Sequence, residues 1–169
     1  MSLTAMDYEE ITQLFARLAW NIDHGNAEAY AADYAPDGSF EVLGLPEGAE
    51  HVGKHQDRAG VARFIDILYA GTKGHVRHWN QNFVFTKVTD DEVEVSSYLI
   101  CVRVGMVPES GVTLTGIYHD RLVKTGGRWY MKERLVRTDP QPEHAASSTD
   151  ILVVARDEFV ARVPAAAHA

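Results

Sequence analysis

Near residue 75 the chain changes period, and that change restricts the possible folds more than any other feature. Between His75 and Arg137 it reads as four long segments rich in β-branched and aromatic residues, separated by turn signals. They run from about His78 to Val88, Glu92 to Val104, Val112 to Lys124 and Arg128 to Arg137. Thr89-Asp90-Asp91, a Gly105–Gly111 loop and Thr125-Gly126-Gly127 separate them, and Thr-Gly-Gly between two such runs is a good hairpin signal. Consecutive strands joined this way form an antiparallel meander. Strands of that length twist and curl, so the other apolar elements are expected to cover one concave face.

Those elements are helical. Thr4-Ala5-Met6-Asp7 has the form of a capping box, and Tyr8, Ile11, Leu14, Phe15, Leu18, Ala19 and Ile22 follow at three- and four-residue steps. His24-Gly25-Asn26 ends this first helix. A second, about Ala27 to Ala35, carries Tyr30 and Tyr34 and is stopped by Pro36-Asp37-Gly38, after which Ser39 to Leu43 reads as a short strand. Gly44 to Gln56 has no period and reads as a loop. Asp57 is expected to cap a third helix bearing Val61, Phe64, Ile65, Leu68 and Tyr69, with Gly71 as its stop. Ile151, Val154, Phe159 and Val163 give a C-terminal helical stripe. The expectation is one α+β domain over residues 1–169, with its core at about 7–139 and a C-terminal helix and tail over 140–169.

Composition narrows the function. A formal net charge of −8 and the lack of a basic stripe argue against nucleic acid as a partner. The apolar runs are far short of a membrane span, and Met1-Ser2-Leu3-Thr4 lacks the start of a signal peptide. The single cysteine, Cys101, fits a reducing compartment, so a cytoplasmic location is expected.

The order of three helices, a long meander and a last helix resembles the SnoaL-like branch of the nuclear transport factor 2-like superfamily. Asp23-His24-Gly25-Asn26-Ala27-Glu28-Ala29-Tyr30, followed by Tyr34-Ala35-Pro36-Asp37-Gly38-Ser39-Phe40, resembles that family's helix-to-strand corner. Gly116-Ile117-Tyr118-His119-Asp120-Arg121-Leu122 with Gly127-Arg128-Trp129-Tyr130-Met131-Lys132-Glu133-Arg134 resembles its last hairpin. The resemblance implies a cone-shaped α+β barrel with a pocket inside, on a fold that hosts dehydratases, isomerases, cyclases, epoxide hydrolases and non-catalytic binders. Scytalone dehydratase, bile-acid dehydratase and hexachlorocyclohexane dehydrochlorinase share an Asp–His pair, which falls on Asp23 and His78 here. The dehydrochlorinase's arginine falls on Arg134. Its lysine is replaced by Leu18, and the dehydratases' tyrosine by Ile22.

An imidazole titrates near neutrality, so His78 can take a proton in one step and return it in another, with Asp23 fixing its tautomer. Arg134 would hold negative charge on the substrate or departing group. If Tyr118 points inward, strand parity puts Gly116 and Leu114 on the same inner face and Ile117, His119 and Arg121 outside. The family correspondence adds Leu99 and Cys101, with Trp20 and Met131 as further wall residues. The implied activity is a cofactor-independent lyase of the dehydratase kind, or an isomerase, acting on a small hydrophobic ring-containing substrate. Polyketide cyclisation, epoxide opening and plain ligand binding stay open.

Each residue also has a plainer reading. Asp23 alone would serve as well to cap a neighbouring helix, His78 as a satisfied strand-end histidine, and Arg134 in a surface ion pair. Cys101 reads as a small buried apolar residue, without the nucleophile-elbow context that acyl chemistry needs. His51/His55 and His75/His78 lack the partners of a metal site. By resemblance a homo-oligomer is expected, a trimer before a dimer.

Overall fold

The computed structural model describes residues 3–45, 48, 50–105 and 110–140. The chain divides into a unit of Met1–Asp139 and one of Pro140–Ala169. The expected C-terminal helix lies outside the described residues.

Helix α1 (Ala5–His24) starts as its sequence dictates. Thr4 Oγ1 accepts from the Asp7 amide at 3.2 Å, and Asp7 Oδ2 accepts from the Thr4 amide at 2.9 Å, completing the capping box. The helix ends on Gly25 at φ 68°, where a Cβ would run into the Tyr69 ring. Ile11, Leu14, Phe15 and Leu18 are almost wholly buried. Each contributes about 1.5–3 kcal/mol by leaving water.

Helix α2 (Ala27–Ala32) is shorter than its pattern implied, because Tyr34 opens strand β1 (Tyr34–Leu43). Pro36-Asp37-Gly38, expected to stop a helix, lies inside that strand where its register with β6 shifts. Tyr30 and Tyr34 still meet, with hydroxyls 3.4 Å apart in the core. Part of the expected loop is strand β2 (Gly53–Gln56), paired antiparallel with β1. Helix α3 (Asp57–Thr72) begins with Asp57 Oδ1 accepting from the Gly60 amide at 3.0 Å. It runs past Gly71 to a left-handed Lys73.

The meander follows as β3 (Val76–Thr86), β4 (Glu92–Arg103), β5 (Gly111–Thr125) and β6 (Arg128–Thr138). The six strands form one curved sheet in the order β2-β1-β6-β5-β4-β3, with β1 and β6 parallel and the other pairs antiparallel. The sheet does not close on itself; β2 and β3 are its edges. The α+β architecture of helices packed on a curved, mostly antiparallel sheet is as expected. In β4 the inner residues Val93, Val95, Ser97, Leu99 and Cys101 alternate with more exposed neighbours, the mark of a sheet buried on one face.

Candidate active site

The last turn of α1 lies against the start of edge strand β3, and this corner brings Asp23 to His78. Asp23 is 8% exposed, and His78 Nδ1 donates to its Oδ1 at 2.7 Å. The His78 backbone amide also donates to both carboxylate oxygens, at 3.1 and 3.3 Å. One carboxylate therefore ties the helix end to the strand and fixes the imidazole tautomer. On β4, Cys101 pairs in register with His78.

Burial pulls the His78 pKa down. The Asp23 carboxylate, and then the Cys101 side chain, outweigh it and raise the pKa from 6.5 to about 9. At neutral pH the imidazole is mostly protonated, an imidazolium held against a carboxylate.

His78 borders a cavity of about 190 Å³ with a largely apolar wall. Leu99, Cys101, Leu114 and Tyr118 line it, and Ile22, Phe40 and Phe64 add to it. The remaining expected wall residues lie elsewhere. Trp20 is 67% exposed and stacks on His24 outside the cavity. With Leu18 and Ile22 facing the core, a residue two positions from each points about 200° away. Met131 is fully buried but belongs to the core where β6 meets Tyr34 and Leu122. Gly116 pairs with Leu99 on the inner face, and a Cβ there would sit 2.6 Å from the Arg137 carbonyl, so it serves strand approach rather than contact.

Arg134 reaches the inner face, but not as the free charge the sequence implied. Its Nε and Nη2 donate to Asp120 Oδ1 and Oδ2 at 2.9 and 2.8 Å, and both residues are buried. The guanidinium lies 4.1 Å from the centre of the Tyr118 ring. With its charge met by Asp120, it offers the site hydrogen-bond donors rather than net charge.

Sequence reasoning missed two further groups. His51 was read as a loop residue but borders the cavity. Asn80, on β3 two residues after His78, turns a side-chain amide inward, and neither Nδ2 nor Oδ1 has a partner. The first of these had no signal in the sequence. The second had one, since Asn80 shares the strand parity of His78. His75 donates from Nδ1 to the Val104 carbonyl at 3.0 Å at the strand junction. His119 lies on the outer face against Ser96. Among the described residues, no group of three or more His, Cys, Asp or Glu is placed to hold a metal ion.

A model of the SnoaL-like domain matches residues 4–135. The chain belongs to the SnoaL-like family, within the nuclear transport factor 2-like superfamily. None of the curated proteins matches it in sequence. Among solved structures it is similar to a Nostoc punctiforme protein of unknown function with a cystatin-like fold. The TM-score is 0.72 at 25% identity, over 83% of this chain and 97% of that one. It is also similar to a Novosphingobium aromaticivorans protein whose scytalone dehydratase activity is a provisional assignment. There the TM-score is 0.63 at 22% identity, over 79% and 85% of the two chains. LinA has a TM-score of 0.66 at 15% identity over 79% and 86%, a likeness of fold alone.

Proposed function

We propose that this SnoaL-like protein is a cofactor-independent lyase of the dehydratase kind, or an isomerase, acting on a small hydrophobic ring-containing substrate. The observation that carries this reading is the 2.7 Å bond between Asp23 and His78 at the wall of an apolar cavity. In the neutral form, the nitrogen that Asp23 leaves free takes a proton from substrate carbon. Asp23 stabilises the imidazolium that results. The same proton then goes to a departing hydroxyl, giving elimination, or to another carbon, giving a double-bond shift. Because the His78 pKa is raised, the base form gains population as pH rises towards about 9.

Turnover of a panel of hydroxylated ring substrates by wild type, His78→Ala and Asp23→Asn tests the proposal. Equal rates in all three would sink it. The second reading is a non-catalytic binder. It is favoured by the apolar Leu18 and Ile22 and by an imidazole that is protonated at neutral pH. Cyclisation or epoxide opening would use the same cavity.

We also propose a homo-oligomer, a trimer before a dimer, located in the cytoplasm and without a nucleic-acid or membrane partner. The outer face of the sheet supports an assembly: Trp79, Tyr98 and Ile100 on β3 and β4 are 54%, 57% and 39% exposed. No described helix is long and apolar enough to cross a membrane. Mass in solution decides the oligomer.

A further inference from the structure

Three arginines converge on the corner where α2 gives way to β1, and none of them lines the cavity beside His78. Asp33, which caps the C-terminal end of α2, is 3% exposed. Arg17 of α1 forks its carboxylate, with Nε donating to Oδ2 at 3.1 Å and Nη2 to Oδ1 at 3.0 Å. Arg128, at the start of β6, donates from Nη2 to Oδ1 at 2.7 Å. Arg58 of α3 donates to the Ala32 and Tyr34 carbonyls at 3.3 and 2.8 Å, answering acceptors that the end of α2 leaves open. The guanidiniums of Arg58 and Arg128 also lie 5.8 and 5.0 Å from the centre of one ring, Tyr130.

Three cations thus share one buried carboxylate, in a chain whose formal net charge is −8. The neighbouring Glu10 and Asp57 are turned to the backbone amides of Trp129 and Gly60. Each guanidinium carries five N–H donors, and the bonds above use only one or two of them. Arg128 keeps Nε and Nη1, and Arg17 keeps Nη1, without a partner among the described residues. The Arg17 and Arg128 side chains are 42% and 50% exposed, so the corner is open to solvent. Fixed guanidiniums with spare donors and unmet charge match the forked geometry of phosphate oxygens. We propose that Arg17, Arg58 and Arg128 form a binding site for the dianionic head of a phosphate monoester, carried by a metabolite or by a phosphorylated side chain. Its two negative charges meet the two positive ones that Asp33 leaves over, and they relieve the repulsion between the arginines that share Tyr130.

Calorimetry on the full chain tests it with three probes: glycerol phosphate, a short phosphoserine peptide, and acetate. The phosphates bind with dissociation constants of about 1 mM or lower, and acetate, a monoanion, binds at least about tenfold more weakly. Arg128→Gln leaves Asp33 its fork to Arg17, so the corner keeps its fold, and weakens the phosphates by about tenfold, the loss of one charge-assisted bond. Arg58→Gln, which leaves both partners of Asp33 in place, is the second variant and weakens them likewise. His78→Ala binds them as wild type does. Tighter binding of the peptide assigns the group to a protein partner, and tighter binding of glycerol phosphate assigns it to a metabolite. Phosphate binding that acetate equals, that survives both arginine changes or that fails in His78→Ala overturns the site. So does the absence of binding, which leaves the arginines serving Asp33 and α2 alone.

Discussion

Replacing Asp23 by Asn keeps a hydrogen-bond acceptor of the same shape beside His78 and removes the charge. In wild type the carboxylate and the Cys101 side chain together outweigh burial and raise the His78 pKa from 6.5 to about 9. At about 1.4 kcal/mol per pH unit, that difference is worth about 3 kcal/mol of folding stability. The folded pKa is above the unfolded one, so the contribution is fully present below about pH 6.5 and is lost as pH rises to about 9. In Asp23→Asn only the Cys101 side chain is left to oppose burial, so the His78 pKa falls and this contribution shrinks with it. The stability difference between the two proteins should therefore shrink by up to about 3 kcal/mol across that range. Urea unfolding followed by circular dichroism at several pH values measures it. Nuclear magnetic resonance titration of the His78 ring protons gives the pKa directly. Stability curves that run parallel in pH, or a wild-type His78 that titrates near 6.5, would refute the reasoning.

If His78 is the base, log kcat/KM rises with unit slope up to about pH 9, and His78→Ala lowers it by about 10²–10⁴-fold. A steady-state pH profile reads both. Asp120→Ala leaves the Arg134 guanidinium buried without its carboxylate and should cost about 3–5 kcal/mol in urea unfolding. The double change Asp120→Leu with Arg134→Met should recover most of that loss, since neither charge then remains. Gly116→Ala puts a methyl 2.6 Å from the Arg137 carbonyl and should cost about 1–3 kcal/mol by the same measurement, with little change at His78.

The helical stripe of α1, its capping box and the four meander strands were legible because each rests on local period and turn chemistry. Strand β2 was not, since four residues of Gly-Lys-His-Gln carry no alternation and pair only because β1 lies beside them. The arginine was legible for a different reason. In a regular strand, Arg134, five residues after Trp129, would face the opposite side. The register steps from Arg121↔Glu133 to Leu122↔Met131, so Lys132 is an extra residue in β6 and parity flips there. Trp129 and Arg134 are both buried as a result. Family likeness pointed to that position, and parity alone would have rejected it. Nothing in the sequence pointed to Asp120 as the partner that takes up Arg134's charge.

Asp23 shows why the site could be anticipated while its electrostatics could not. Its place on the flank of the α1 stripe implied a carboxylate that must find a partner, and the family resemblance, rather than the residues alone, named His78 as that partner. The same oxygens also accept the His78 backbone amide, so the residue that orients the base also pins the first residues of an exposed sheet edge. Asp23→Ala would therefore mix a frayed strand with a lost charge, and its effect on turnover would carry no single meaning. Asn leaves one acceptor oxygen for the backbone amide, turns the other into an amide donor, and removes the charge. The difference between those two variants separates what Asp23 does for β3 from what it does for His78.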